Sequence, residues 1–388
     1  MNDAIVSMML VGVGGGGCRL ASAAVRTFDG ELAAIGFDSD AVATRGIGNM
    51  RCMILGAKRF DGHGTGGDPV KGRSAAQDDA EAVAAALAGV RLAVVVTALG
   101  GGVGNGASPL VLNALRNAGA HTLCLATLPF AFEGRERLTQ AERALPLIEE
   151  ASDGLVVLPL DQLYAVAGAH ETLADAMPQA EAVFSAALTL FWRLVTTPGF
   201  IALDAESLLA VLAQGRGRCR LAVASAAGAA RATEAVARLC RSPLLGKAPP
   251  LQEVQAITLG VLAGGDLRLA ELSEISKHMQ AALARGCEWR MGTVLDERYA
   301  GSIHLVALLF DGPRQPGARL PEPAAEETFD AAGGSLAGDL RPAARRPRGR
   351  TGGRLQGRGR FKDVEATLIN GEDLDRPTYL RLGIVLDR

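Results

Sequence analysis

The first half of this 388-residue chain predicts an α/β fold with a parallel sheet, joined by a long helix to a smaller α/β region and followed by a flexible tail. Three observations carry that expectation. Short apolar runs alternate with amphipathic stretches, the signature of strands linked by crossover helices. Several runs end in glycine-rich turns, where open α/β sheets bind ligands. A long stretch near the middle is apolar on nearly every side, as a buried helix requires.

In chain order, the expected strands are Met8 to Val13, Ala33 to Phe37, Leu92 to Thr97, Thr122 to Thr127 and Leu155 to Pro159, within a first domain over residues 1–172. The buried helix is placed over 173–197, where Val183, Phe184, Leu188, Phe191 and Trp192 recur and Pro178 suits a first helical turn. A second domain is placed over 198–312, with apolar runs Ala256 to Ala263 and Ile303 to Phe310. From 313 to 360 the composition shifts to Pro, Gly, Ala and Arg, too poor in large apolar groups to offset the entropy of ordering. Residues 361–388 regain apolar and acidic side chains, as a recognition peptide on a tether would.

A chain about half hydrophobic and of this length buries a large core without staples. Its six cysteines form no Cys-x-x-Cys pair, which points away from a zinc site or disulfide framework and fits a reducing cytoplasm. The apolar run near the N-terminus is too short to span a bilayer and lacks a basic start. Net charge is −2, but residues 341–360 carry many arginines and no acid.

The first turn, Gly12-Val13-Gly14-Gly15-Gly16-Gly17, lies between a strand and a helix. Such a turn lets backbone amides and the positive helix end face a phosphate with no side chain intervening. Gly12, Gly14 and Gly17 also satisfy the dinucleotide pattern, with Asp38 and Asp40 about 20 residues on. A second turn of the same kind, Gly100-Gly101-Gly102-Val103-Gly104-Asn105-Gly106, follows the strand ending at Thr97. A dinucleotide fold has no need of two cradles, whereas successive phosphates of one nucleoside triphosphate do. An NAD-dependent oxidoreductase using Gly12, Gly14, Gly17 and Asp38 stays open as an alternative, although the few histidines show no catalytic pairing.

Further segments carry a resemblance. Pro129-Phe130-Ala131-Phe132-Glu133-Gly134 and then Arg137, Gly64-Thr65-Gly66-Gly67-Asp68-Pro69, Ser242-Pro243-Leu244-Leu245, Gly264-Gly265-Asp266-Leu267-Arg268-Leu269 and Gly292-Thr293-Val294-Leu295-Asp296 occur in that order. Together with the second glycine loop they resemble the FtsZ family of tubulin-like proteins over about residues 8–312. The resemblance implies a tubulin-like fold with GTP or GDP bound in the first domain, magnesium as cofactor, and head-to-tail self-assembly for bacterial division. It assigns the nucleotide to Gly14, Gly15, Gly16 and Gly17 of the first loop, and to Gly101, Gly102, Val103, Gly104 and Asn105 of the second. Glu133 and Arg137 fall beside the ribose and phosphates. No protein metal ligand is implied.

Several positions depart from the family pattern. Cys18 and Arg19 stand where the first loop ends in glycine and asparagine. Met177 and Glu181 replace a phenylalanine and an asparagine at the start of the central helix, so the base pocket is rebuilt. Glu181 can accept from the guanine ring N–H and amino group, or pair with Arg19. The family's catalytic loop, inserted into the next subunit, falls on Ala202 to Ser207, where Asp204 is kept, an asparagine is lost, and a second aspartate becomes Ser207 with Glu206 beside it. Asp204 and Glu206 are the catalytic candidates, and hydrolysis roughly 10 to 100-fold slower than in a typical relative is expected from one lost positioning interaction.

The segment Glu372 to Arg381 resembles the family's C-terminal peptide, which implies a membrane-tethering division protein as partner and a place at the division site on the inner face of the membrane. The arginine-rich linker either stays solvated or adds weak attraction to an anionic membrane, at about 1 kcal/mol per basic residue. A non-hydrolysing, nucleotide-binding regulator of the same fold is the alternative that the altered catalytic loop favours.

Overall fold

The computed structural model describes residues 7–28, 32–161, 173–197, 199–201, 203, 217–245, 251–311, 368–369 and 372–373. The five expected strands of the first half form β1 (Met8–Val13), β2 (Ala34–Asp38), β4 (Leu92–Ala98), β5 (His121–Leu128) and β6 (Gly154–Pro159). A further strand, β3 (Arg51–Ile54), is absent from the sequence reading because four residues at a sheet edge carry too short a pattern. Later strands are β7 (Gly217–Ala227), β8 (Ala256–Ala263), β9 (Glu288–Leu295) and β10 (Ser302–Phe310).

These ten strands make one sheet in the order β3-β2-β1-β4-β5-β6-β7-β10-β8-β9. Pairing is parallel from β3 through β7; β10 runs antiparallel to both β7 and β8, and β8 pairs parallel with β9. Parallel strands need crossovers, and the helices supply them. They are α1 (Gly14–Thr27), α2 (Ala41–Arg45), α3 (Ala57–Phe60), α4 (Pro69–Asp78), α5 (Ala80–Ala86), α6 (Gly102–Asn117), α7 (Arg135–Ala151), α8 (Leu173–Thr196), α9 (Arg231–Leu239) and α10 (Leu269–Ala282).

Alternation along each strand sorts the core into three layers. Leu92, Val94 and Val96 of β4 join Leu20 and Ala24 of α1 and Phe184, Leu188, Phe191 and Trp192 of α8. Leu221, Val306 and Phe310 continue that cluster, so α8 covers both halves of the sheet. On the opposite face Ala93 and Val95 pack with Val111, Leu112 and Leu145 of α6 and α7. A third cluster places Ala235 and Leu239 of α9 and Ile275 and Met279 of α10 against Leu259, Val261 and Leu305. The expected buried helix is therefore α8, whose one buried charge, Arg193, reaches Asp296 at 3.3 Å and lies over the Phe28 ring.

Residues Met1–Ala325 form one unit and Glu326–Arg388 a second. Within the second, β11 (Leu368–Ile369) pairs antiparallel with β12 (Glu372–Asp373). The linker expected over 313–360 lies outside the described residues, as does the rest of the expected C-terminal peptide. Among the described residues no helix is long and apolar enough to cross a membrane.

Candidate nucleotide-binding site

Because β1, β2, β4 and β5 are parallel neighbours, their carboxyl ends emerge at one edge of the sheet, and the turns after them enclose a cleft of about 620 Å³. The walls are Gly14–Gly16, Arg19, Asp38–Asp40, 63–67, 98–99, 101–104, Phe130, Glu133, Arg137 and Glu181. Two helices of 14 and 16 residues, α1 and α6, begin there. Each presents unbonded first-turn amides and the positive end of its dipole to the same space.

The glycines are required by close approach of backbone to backbone. Gly14 has φ +74°, and a Cβ on it would lie 2.9 Å from the Gly104 amide nitrogen, so the two loops touch. At Gly102 a Cβ would collide with Thr65 Oγ1, and at Gly104 with the Ala98 carbonyl. At Gly101, by contrast, no atom lies within 4 Å of that position. The result is a cradle that side chains would fill, of the size and donor chemistry that suit a chain of phosphates.

A third wall comes from residues 60–68. The Ala41 amide donates to the Gly62 carbonyl at 2.9 Å, the Gly64 amide donates to Ser39, and Asp68 caps α4 by accepting from Val70. Asp40 similarly caps α2. Asp38 ends β2 with its Oδ1 accepting from the Ser39 amide, and burial pushes its carboxyl up to about 6. Its Oδ2 would lie 3.3 Å from a Cβ on Gly15, which sets a carboxylate against the first cradle.

On the far side, Glu133 Oε1 accepts from the Phe130 amide at 3.1 Å and its Oε2 pairs with Arg137 at 2.5 Å. Arg19 Nε lies 3.2 Å from Glu181 Oε1, which is the pairing considered from the sequence. Both side chains line the cleft.

The expected residues do not all meet there. Gly14, Gly15, Gly16, Arg19, Gly101, Gly102, Val103, Gly104, Glu133, Arg137 and Glu181 line the cleft. Gly17 instead packs beneath β4, where a Cβ would lie 2.5 Å from the Val96 carbonyl. Cys18 turns inward, fully buried, its thiol donating to the Gly12 and Phe37 carbonyls. Asn105 is buried as well; its Oδ1 accepts from the Gly100 amide at 3.0 Å, so it holds the loop's shape. Helical geometry is the reason: Gly17 and Cys18 are the fourth and fifth residues of α1 and Asn105 the fourth of α6, where the first turn has carried the chain from the loop mouth back over the sheet. The Met177 side chain, Asp204 and Glu206 lie outside the described residues.

The sequence offers Asp38 only through the dinucleotide alternative and Thr65 only within a family segment, and it gives no sign of His63 or Thr127, although all four line the cleft. For Asp38 and Thr127 the usable signal was position, the last residues of strands whose carboxyl ends converge. No group of three or more His, Cys, Asp or Glu able to hold a metal occurs among the described residues.

A profile of the GTPase domain of the tubulin/FtsZ family matches residues 7–168, and one of the FtsZ family C-terminal domain matches residues 217–311. The cell division protein FtsZ of Pseudomonas putida is 29% identical over 381 residues, 96% of this chain and 88% of that protein. Its counterpart from Azotobacter vinelandii is 30% identical over 299 residues, 77% and 75% of the two chains. Among solved structures, an empty FtsZ dimer from M. jannaschii aligns with a TM-score of 0.73 at 25% identity, covering 84% of this chain and 96% of that one. CetZ2 of Haloferax volcanii, solved as a GTPγS-bound protofilament, shares the fold with a TM-score of 0.66 at 20% identity over 80% and 94%. Two glycine cradles at the strand ends, the helix that bridges both halves of the sheet, and these matches in both halves lead to one conclusion: the chain belongs to the FtsZ family of tubulin-like GTPases.

Proposed function

We propose that this chain binds GTP and GDP in the cleft, assembles head to tail with copies of itself, and serves in bacterial cell division. The observation that carries the reading is the contact of the two glycine loops at Gly14 and Gly104, which leaves one continuous amide-lined trough rather than two separate turns. Such a trough suits the phosphates of a single nucleotide. A Rossmann oxidoreductase would leave the second loop without a role.

Gly14–Gly16 and Gly101–Gly104 hold the phosphates, and Glu133 with Arg137 flanks the ribose. Magnesium, when bound, would offset the charge of the phosphates that Gly14–Gly16 and Gly101–Gly104 hold. Glu181 accepts from the guanine ring N–H and amino group once Arg19 swings aside, and adenine offers neither donor. Glu181→Gln is expected to weaken GTP binding about tenfold, the worth of one charged hydrogen bond, with ATP binding little changed. Titration of a fluorescent guanine nucleotide, competed by ATP, measures both.

Asp204 and Glu206, from the next subunit, position water at the γ-phosphate. With Ser207 in place of a second aspartate, hydrolysis runs roughly 10 to 100-fold slower than in a typical relative. Filament contacts of this heterologous kind do not close, so they polymerise. The segment Glu372 to Arg381 recruits a membrane-tethering division protein on the cytoplasmic face, and the arginine-rich linker adds weak attraction to anionic lipid.

Light scattering and phosphate release on the purified protein with GTP, ATP or neither test the reading. Scattering and slow release with GTP alone, the release falling further in Asp204→Ala, are expected. Scattering without release would make the chain a non-hydrolysing binder, and no response to any nucleotide would overturn the proposal.

A further inference from the structure

Beneath the first glycine loop lies a feature that nucleotide binding does not use. Cys18, in the first turns of α1, and Cys52, on β3, share the space that Gly36 leaves on β2 between them. A Cβ on Gly36 would lie 2.9 Å from Cys18 Sγ and 2.7 Å from Cys52 Sγ. The Cys18 thiol donates to the Gly12 and Phe37 carbonyls and the Cys52 thiol to the Met50 carbonyl, so the two sulfurs face the same gap from separate anchors. Cys52 is the register partner of Gly36 across the β2–β3 ladder, so its side chain stands on the same sheet face as α1. The missing side chain at Gly36 leaves one space that both sulfurs border.

Their surroundings differ. Cys18 is fully buried, and the adjoining Cys52 thiol, with burial next, holds its thiol well above the usual range. Cys52 is half-buried, and the adjoining Cys18 thiol lowers its own thiol below the ordinary value. One sulfur is therefore reached from the surface and the more easily ionised of the two, and the other sits behind it.

We propose that Cys18 and Cys52 are a redox-active pair, which a peroxide converts to a disulfide tying the start of α1 to β3 under the nucleotide cleft. The Cys52 thiolate attacks a peroxide oxygen and the O–O bond breaks. The departing hydroxide takes a proton from solvent and leaves as water, so Cys52 becomes a sulfenic acid. The Cys18 sulfur then attacks the sulfenic sulfur and the S–O bond breaks. Its proton leaves with the released hydroxide as a second water. Two thiols lose two electrons, and the peroxide gains them; a small dithiol reverses the reaction by exchange. Reversible bonds of this type are those found in otherwise reducing compartments. The bond moves the turn that carries Gly14–Gly16, so oxidised protein binds nucleotide more weakly. That consequence rests on the nucleotide reading above, whereas the disulfide does not.

Full-length reduced protein treated with hydrogen peroxide, then alkylated and digested, tests the pair. The expected result is a linked Cys18–Cys52 peptide, loss of two of the six titratable thiols, and full recovery with dithiothreitol. Cys52→Ser and Cys18→Ala should each lose the link, with cooperative thermal melts showing that both fold. Labelled GTP should bind at least about fivefold more weakly to oxidised wild type, the low end of ordinary coupling, and equally well to Cys52→Ser with or without peroxide. Six alkylatable thiols after peroxide, links only through other cysteines, or over-oxidised Cys52 beside a free Cys18 would overturn the pair. A formed link with unchanged affinity would overturn its coupling to the cleft. Reduced protein that binds no GTP would overturn the nucleotide reading and leave the linked-peptide result standing.

Discussion

Gly104→Ala is expected to abolish binding of labelled GTP and to lower the melting temperature by about 5–10 °C, since overpacking of this kind costs a few kcal/mol. A Cβ at 104 collides with the carbonyl that ends β4, and the loop meets the Gly14 loop on its other side. Neither neighbour is a flexible side chain that can swing away. Relief requires α6 to move off the sheet, which opens the trough between the two helix ends. Gly101→Ala is the matched comparison, because its Cβ meets nothing within 4 Å and lies on the cleft wall. That variant should melt with the wild type and bind about tenfold more weakly, the worth of one charge-assisted hydrogen bond lost to a phosphate. Equal melting of both variants would mean that α6 is not seated as described.

The second large effect is at Asp38, where substitution should improve both stability and binding. Its carboxyl is buried at the end of β2, beside Asp40 and above the two thiols, and burial raises it to about 6. An acid raised in the folded state holds a proton that the unfolded chain releases. Stability therefore falls as pH rises from about 4 to about 6, and the whole penalty remains above that window. Asp38→Asn removes it, a gain of about 1–3 kcal/mol at pH 7 and none near pH 4. Urea melts at the two pH values check this. The same carboxylate faces the cradle built for phosphates, so the variant should also bind GTP about tenfold more tightly at pH 7.5, a modest charge repulsion in a partly wet cleft. The advantage should shrink toward pH 5.5. An affinity equal to wild type throughout would show that the Asp38 charge never reaches the nucleotide.

Much of this was legible in the residues. Strands buried on both faces read as unbroken apolar runs, so β1, β4, β5, β8 and β10 stand out, and the glycine turns mark where ligand binds. Harder to read were β3, four residues at an edge, and the junction of β6 with β7, where three residue pairs make the two halves one sheet. The cleft divides in the same way. Residues on the loops were found by motif, because backbone approach leaves a glycine signature. Thr127 was not, because a polar residue at a strand end is ordinary until the neighbouring strands are known to be parallel, and Asp38 was reached only through the dinucleotide pattern. Cys18 shows the converse: its place in the loop motif suggested a ligand contact, and one step of helix turned it to the core.

The glycines that seat the second loop also bind α4 to α6. A side chain at Gly72 would strike the Gly102 carbonyl, and one at Gly106 would strike the Pro69 carbonyl and the Arg73 amide. The two helices meet main chain to main chain over residues 69–73 and 102–106, with no side chain to act as a spacer that loosens first. Opening either one exposes the peptide groups of both. In deuterated water their slow amides should therefore exchange at a common rate and with a common denaturant dependence, as a single cooperative block, and a ligand held by the second loop should slow exchange in α4, which carries none of the cradle's own residues.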